Sequence, residues 1–211
     1  MVELADTRHV RRLPPDPQAA DELSAWSRAA DVMIDLSYLD ASGADLTDAD
    51  LAMGLFCVTR LVDTVLAGAD LYRAHLEGAV LDGADLSRSC LVKAVLDEAS
   101  MRGTVLSGAN LGSAELYGVD ARAASFRGAR LNGASFLDVR LEGADLTGAT
   151  VAGTAFRVLL GEDTVVEGLS GTVHGPARVG ERGARRELAG PGLEEWLNRR
   201  GASVAVIPPL P

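Results

Sequence analysis

Histidine and cysteine are the side chains best suited to hold a metal or act as a nucleophile near neutral pH, and the chain has three of the first and two of the second. His9, His75 and His174 form no closely spaced pair of the HxH or HExxH kind that would bring two imidazoles to one metal. Cys57 and Cys90 stand alone, without the clustering of a zinc site or a disulfide framework, a usage that fits a reducing compartment. No GxSxG elbow, phosphate-binding loop or dinucleotide fingerprint occurs. The sequence therefore assigns no catalytic residue, no metal ligand and no cofactor.

The remaining chemistry is charge. Thirty acidic residues against twenty basic ones leave a net charge of −10. That balance argues against broad affinity for nucleic acid phosphates or anionic membranes and favours a cationic protein partner. How the carboxylates are displayed depends on the elements that carry them. The chain has a period of five: from Leu36 to Phe156, 25 consecutive positions at five-residue spacing are apolar, all but Ala41 and Ala121 large. Two residues before each centre stands Ala in 15 of the 25 repeats, so that row is sterically confined. The last place of 12 repeats is Gly, which supplies the backbone freedom of a tight turn. A strict five fits neither helical nor strand periodicity. It implies a chain that turns every few residues and stacks coil on coil, burying Leu on Leu and Ala on Ala, with a rise of about 4.8 Å per coil.

The run ADLYR, AHLEG, ADLSR, TVLSG, ANLGS from Ala69 onward resembles the pentapeptide-repeat family, over about three-fifths of the chain. The resemblance implies an all-β fold, a right-handed quadrilateral β-helix with four repeats per coil and a little over six coils over residues 34–158. Within the family, the resemblance also points to acidic DNA mimics that bind DNA gyrase and other type II topoisomerases and counter their inhibitors. Some gyrase-directed members carry loops that interrupt the coils, and this sequence has none.

With four repeats per coil, residues 20 apart stack and the outward positions sort onto four faces. The face centred on Leu36, Phe56, Leu76, Leu96, Leu116, Phe136 and Phe156 carries Asp35, Glu77, Asp97, Glu98, Glu115 and Asp138 against a single Arg157. A second face alternates signs, placing Asp40 with Arg60, Asp82 with Arg102, Asp120 with Arg140 and Arg122 with Glu142, pairings that stabilise a sheet modestly. Folding does not ask for uncompensated acid on the first face. Glu77, Asp97, Glu98, Glu115 and Asp138 are therefore the expected partner-binding residues; the alternative is a structural or scaffold module for protein–protein contacts in a specialised metabolic pathway, for which the outward apolar residues Leu55, Val95, Val105 and Leu137 speak.

The ends of a solenoid must be covered. Residues 1–33 read as an arm and a capping helix over 17–33, started by Asp16 and Pro17, with Leu23, Trp26, Ala30 and Met33 on one face and Leu55, Val58 and Val62 as its docking surface. Residues 159–211 read as a cap or tail. Within it, Pro176 to Gly192 has the composition of a mobile connector, Leu193 to Arg200 reads as a short helix ended by Gly201, and SVAV as a strand. Leu193, Trp196 and Leu197 lie on one face of that helix, as contacts of a homodimer or of a cap on the same subunit; both remain open. The N-terminal stretch has no signal-peptide pattern and no long apolar run occurs, so a cytoplasmic protein without membrane contact is expected.

Overall fold

The structure, a computed structural model, describes residues 10–29, 32–181 and 184–207. Parallel bridges join residues 20 apart in four columns, beginning with Asp35 to Leu55, Asp40 to Arg60, Asp45 to Val65 and Asp50 to Asp70. These columns are the four walls of a β-helix, one pentapeptide wide each. Each centre donates its N–H to the coil above, as Leu36 does to Leu55 O at 2.8 Å, and the residue before it bonds to the coil below, as Leu55 N–H does to Ile34 O at 2.9 Å. The five-residue spacing thus satisfies the backbone between coils rather than within an element. Where one column aligns longer stretches, strands appear: β1 (Glu115–Tyr117), β2 (Ser135–Arg140) and β3 (Thr154–Leu160), stacked parallel in that order.

The core is the pair of rows read from the sequence. Every centre from Leu36 to Phe156 is buried; Phe136 stacks on Phe156 of the next coil, centroids 6.3 Å apart, and meets Phe126 of the opposite wall edge-on at 6.1 Å. In the Ala row, the threonines that replace Ala keep their hydroxyls satisfied: Thr59, Thr104 and Thr154 Oγ1 donate to Leu36, Leu81 and Leu131 O at 2.7, 2.8 and 2.6 Å. A hydroxyl is tolerated there because the carbonyl of the coil below lies within reach. The turn assignment of the last repeat position also holds. From Tyr38 to Gly153 every such residue has φ between 53° and 72°, and twelve of them are not glycine.

The ends differ from expectation in several ways. Helix α1 spans Pro17–Arg28, capped by Asp16 Oδ1 accepting from Ala19 N–H at 2.8 Å, and buries Ala19, Leu23 and Trp26. It stops short of Met33, which is 56% exposed, and Ala30 lies outside the described residues. Val58 remains 52% exposed, so the helix does not cover it. Ahead of the helix, Arg12 pairs antiparallel with Asp45 and adds a fragment of strand to the first coil, which composition did not reveal.

At the other end the coiling continues beyond Val158. A one-residue register shift opposite Asp138 sets Val139 against Val158, after which the bridges Asp145 to Val165 and Thr150 to Ser170 restore the spacing of 20. Strand β4 (Ser170–His174) follows. The segment read as a mobile connector is instead an antiparallel hairpin of β5 (Ala177–Glu181) and β6 (Ala184–Leu188), with β5 joined in parallel to β3. The unpaired edge of β3 offers backbone groups that the hairpin satisfies, and local composition does not report that pairing. Helix α2 (Gly190–Asn198) and β7 (Ser203–Val206), which pairs in parallel with β4, are the last elements among the described residues. No helix among the described residues is long and apolar enough to cross a membrane.

Candidate functional site

Three positions in each repeat point outward: the residue before the centre and the two after it. Much of the acid at the first of these is consumed locally. Asp35, Asp40, Asp45, Asp70, Asp85 and Asp145 each accept the N–H two residues on, at 2.9 to 3.1 Å. A carboxylate there closes the turn from outside. Sequence periodicity displays these aspartates without disclosing that they serve the turn.

The second face is a network of opposite charges, as expected, but with different partners. Arg60 pairs with Asp40 at 3.3 Å, whereas Asp120 takes both Arg102 and Arg122 at 2.8 Å, and Arg140 turns to Glu142 at 3.1 Å. Asp82 instead accepts the backbone N–H of Arg102 at 3.0 Å and the Ser100 hydroxyl at 2.6 Å. Two residues apart within one repeat, both side chains face outward, so a guanidinium reaches its own repeat as easily as the next coil. The hydrogen bonds from Arg122 and Arg102 outweigh the effect of burial and hold the Asp120 carboxyl far below the ordinary range.

The first face differs. Glu77, Asp97, Glu98 and Glu115 lie on three successive coils, and no Lys or Arg forms an ion pair with any of them among the described residues. Glu77 Oε1 lies 3.0 Å from His75 Nδ1, and its other oxygen accepts from the Cys57 thiol at 3.5 Å. Burial acts to raise the Glu77 carboxyl, but the hydrogen bond from His75, with its backbone and Cys57 contacts, prevails and holds it below the usual range. Burial and the Glu77 charge push the Cys57 thiol up, so it is not an activated nucleophile. Asp97 Oδ1 accepts the Tyr117 N–H at 2.8 Å. Glu98, at φ 61°, lays its side chain beside Gly118 of the next coil. Together Glu77, Asp97 and Glu98 line a shallow groove of about 300 Å³ with Val58, Gly78 and the half-exposed Tyr117.

Asp138 stands apart from this group. Arg157 donates to both of its oxygens, at 3.1 and 2.8 Å, so its charge is compensated. Leu193, Trp196 and Leu197 are 0%, 4% and 0% exposed, packed inside their own chain. Among the described residues no group of three or more His, Cys, Asp or Glu side chains is arranged to hold a metal ion. What the face offers is a fixed array of carboxylates. It can hold cations, and beside it stand the His75 imidazole and the Cys57 thiol, both engaged by Glu77.

A sequence model described as pentapeptide repeats, in eight copies, matches residues 59–97, 93–120 and 124–157. Among solved structures, the chain is similar to the pentapeptide repeat protein Rfr23 from the cyanobacterium Cyanothece 51142, with 28% identity over 50% of this chain and a TM-score of 0.40. The matched part spans 62% of the length of Rfr23. A trypsin-treated form of QnrB1, a plasmid-mediated fluoroquinolone resistance protein, is 16% identical over 80% of this chain and 90% of its own, with a TM-score of 0.45. HetL, a pentapeptide repeat protein involved in heterocyst differentiation regulation in Nostoc sp. strain PCC 7120, is 25% identical over 65% of this chain and 76% of its own, with a TM-score of 0.23. No curated protein matches the chain.

Proposed function

Because residues 59–120 and 124–157 carry the repeats of the pentapeptide-repeat family, we propose that this chain is a non-enzymatic rod whose acidic face takes the place of DNA on the basic DNA-binding surface of gyrase or another type II topoisomerase. The observation that carries the reading is the set Glu77, Asp97, Glu98 and Glu115, which has no Lys or Arg ion-pair partner among the described residues, on a protein that pairs or uses much of its other acid. Coils rising about 4.8 Å set these charges at intervals comparable to the roughly 3.4 Å between phosphates along one DNA strand. The fold holds them rigidly, so little ordering entropy opposes association. In this reading the protein works in the cytoplasm without a cofactor or direct contact with nucleic acid, and protects the topoisomerase from inhibitors. Asp138, neutralised by Arg157, lies outside the contact set.

Supercoiling and inhibitor-induced cleavage by gyrase, measured with purified protein, test the proposal. Inhibition of supercoiling or relief of cleavage is expected at micromolar protein, weakening as salt rises, because screening shortens the reach of exposed charges. Charge reversal at Glu77, Asp97 and Glu98 abolishes the effect. Absence of any effect at low salt refutes the reading.

A second reading, a scaffold for protein assembly, is favoured by a different surface. Val32, Met33 and Met53 are 51%, 56% and 49% exposed and, with Trp26, line a hollow of about 300 Å³ at the N-terminal coil. A contact made there is insensitive to salt and is lost when Val32, Met33 and Met53 are replaced by Ser, which separates it from the acidic face.

A further inference from the structure

A second hollow lies away from Glu77, Asp97, Glu98 and Glu115. It lies where the β5–β6 hairpin meets the coil, has a volume of about 360 Å³, and carries the opposite charge. Arg140, Arg157, Arg178 and Arg185 line it against only two carboxylates, Asp138 and Glu187, on a chain whose net charge is −10. The register that builds it is direct: Arg140 of β2 lies opposite Leu159 of β3, Leu159 opposite Arg178 of β5, and Arg178 opposite Glu187 of β6. An aliphatic side chain is thus set between two guanidinium-bearing positions, and Pro176 adds a second apolar surface.

The four arginines are not equally engaged. Arg157 is committed to Asp138 through two hydrogen bonds, and Arg140 to Glu142 at 3.1 Å. Arg178 lies 3.9 Å from Glu187 and Arg185 lies 3.7 Å from Glu142, both beyond hydrogen-bonding distance, with side chains 69% and 66% exposed. Each guanidinium presents a planar fork that matches a carboxylate. We propose that this hollow is a binding site for a small organic anion, a carboxylate on an apolar body, with Arg178 and Arg185 gripping the carboxylate and Leu159 and Pro176 receiving the body. Its volume falls within the range of small-molecule sites, and its mix of an apolar lining with a few convergent charged groups is their usual composition. The site shares Asp138 and Arg157 with the acidic face but none of Glu77, Asp97, Glu98 and Glu115, and it does not depend on the topoisomerase reading.

Titration calorimetry with 1-naphthoate, at constant ionic strength, tests it on the full chain. Saturable binding is expected with a Kd of about 1 mM or tighter, as a dozen well-placed heavy atoms give. The neutral analogue 1-naphthalenemethanol should bind at least tenfold more weakly. The double variant Arg178→Gln, Arg185→Gln should lose tenfold or more in naphthoate affinity with an unchanged circular dichroism spectrum, since both side chains are exposed. Neutralising Glu77, Asp97 and Glu98 should leave naphthoate binding as it was. The proposal is overturned by absence of saturation at 10-fold the expected Kd, by equal affinity for the neutral analogue, or by unchanged affinity in the double variant. Equal competition by inorganic phosphate also overturns it, because the apolar body would then contribute nothing.

Discussion

If the acidic face exists for a partner, removing its charge should cost the fold almost nothing. The variant Glu77→Gln, Asp97→Asn, Glu98→Gln tests this while keeping every side chain nearly isosteric. Three contributions set the magnitude. The His75 contact with Glu77 is between side chains 47% and 37% exposed, and exposed pairs contribute about 0–1 kcal/mol. Asn at position 97 keeps an oxygen to accept the Tyr117 N–H, so that bond survives. Relief of like charges on successive coils returns about 0.2–1 kcal/mol. The sum is a change within about 1 kcal/mol of zero, read as the midpoint shift in a urea titration followed by circular dichroism. Asp120→Asn is the contrast. Its carboxylate, 15% exposed, holds Arg102 and Arg122 at 2.8 Å, and losing charge-assisted bonds of this kind costs about 1.5–3 kcal/mol. A triple variant destabilised as much as Asp120→Asn would show that Glu77, Asp97 and Glu98 are structural, and the functional argument from the face would fail.

Asp120 also sets a pH dependence. Its folded pKa is depressed, so its stabilisation is complete above about pH 4 and is lost as pH falls toward the folded value. Thermal melts at pH 7, 4 and 3 should show a steeper acid-side loss in the wild type than in Asp120→Asn. Lys93 adopts φ 60° at a turn where most L-residues are strained by about 1–2 kcal/mol, and glycine's extra unfolded-state freedom offsets roughly 0.5–1 kcal/mol of the relief. Lys93→Gly should therefore raise stability by about 0.5–1 kcal/mol in chemical denaturation, and Gly103→Val, which meets no atom within 4 Å, should lower it through backbone strain alone. Phe136→Ala removes the residue that touches both Phe126 and Phe156 and should cost about 3–5 kcal/mol, with hydrogen-exchange protection lost chiefly in the coils on either side because each coil contacts only its neighbours.

The rows of the core were legible residue by residue. Leu76, Leu96 and Leu116 are buried, Ala74, Ala94 and Ala114 are buried two places earlier, and the corner positions take φ > 0 whether occupied by Gly78 or by Glu98. The candidate face followed from the same frame, because stacking at a spacing of 20 fixes which carboxylates share a wall. Asp138 shows where the frame ceases to suffice. Its place on the face was readable, but its neutralisation by Arg157 required the strand register between β2 and β3, which shifts by one residue at that point.

The sequence by itself determined the repeat, the buried rows, the turn positions and the wall on which each charge lies, because a strict period repeats one local energetic solution along the chain. The tertiary structure alone decided which charges cancel. Ion pairing depends on side-chain reach and register, and so Asp120 binds Arg102 and Arg122 rather than Arg140. It alone also folded the Arg-rich segment after Pro176 into a hairpin on β3 and buried Leu193, Trp196 and Leu197 against their own chain. Those contacts join residues with no shared period, satisfying backbone and apolar surface left open where the repeat ends.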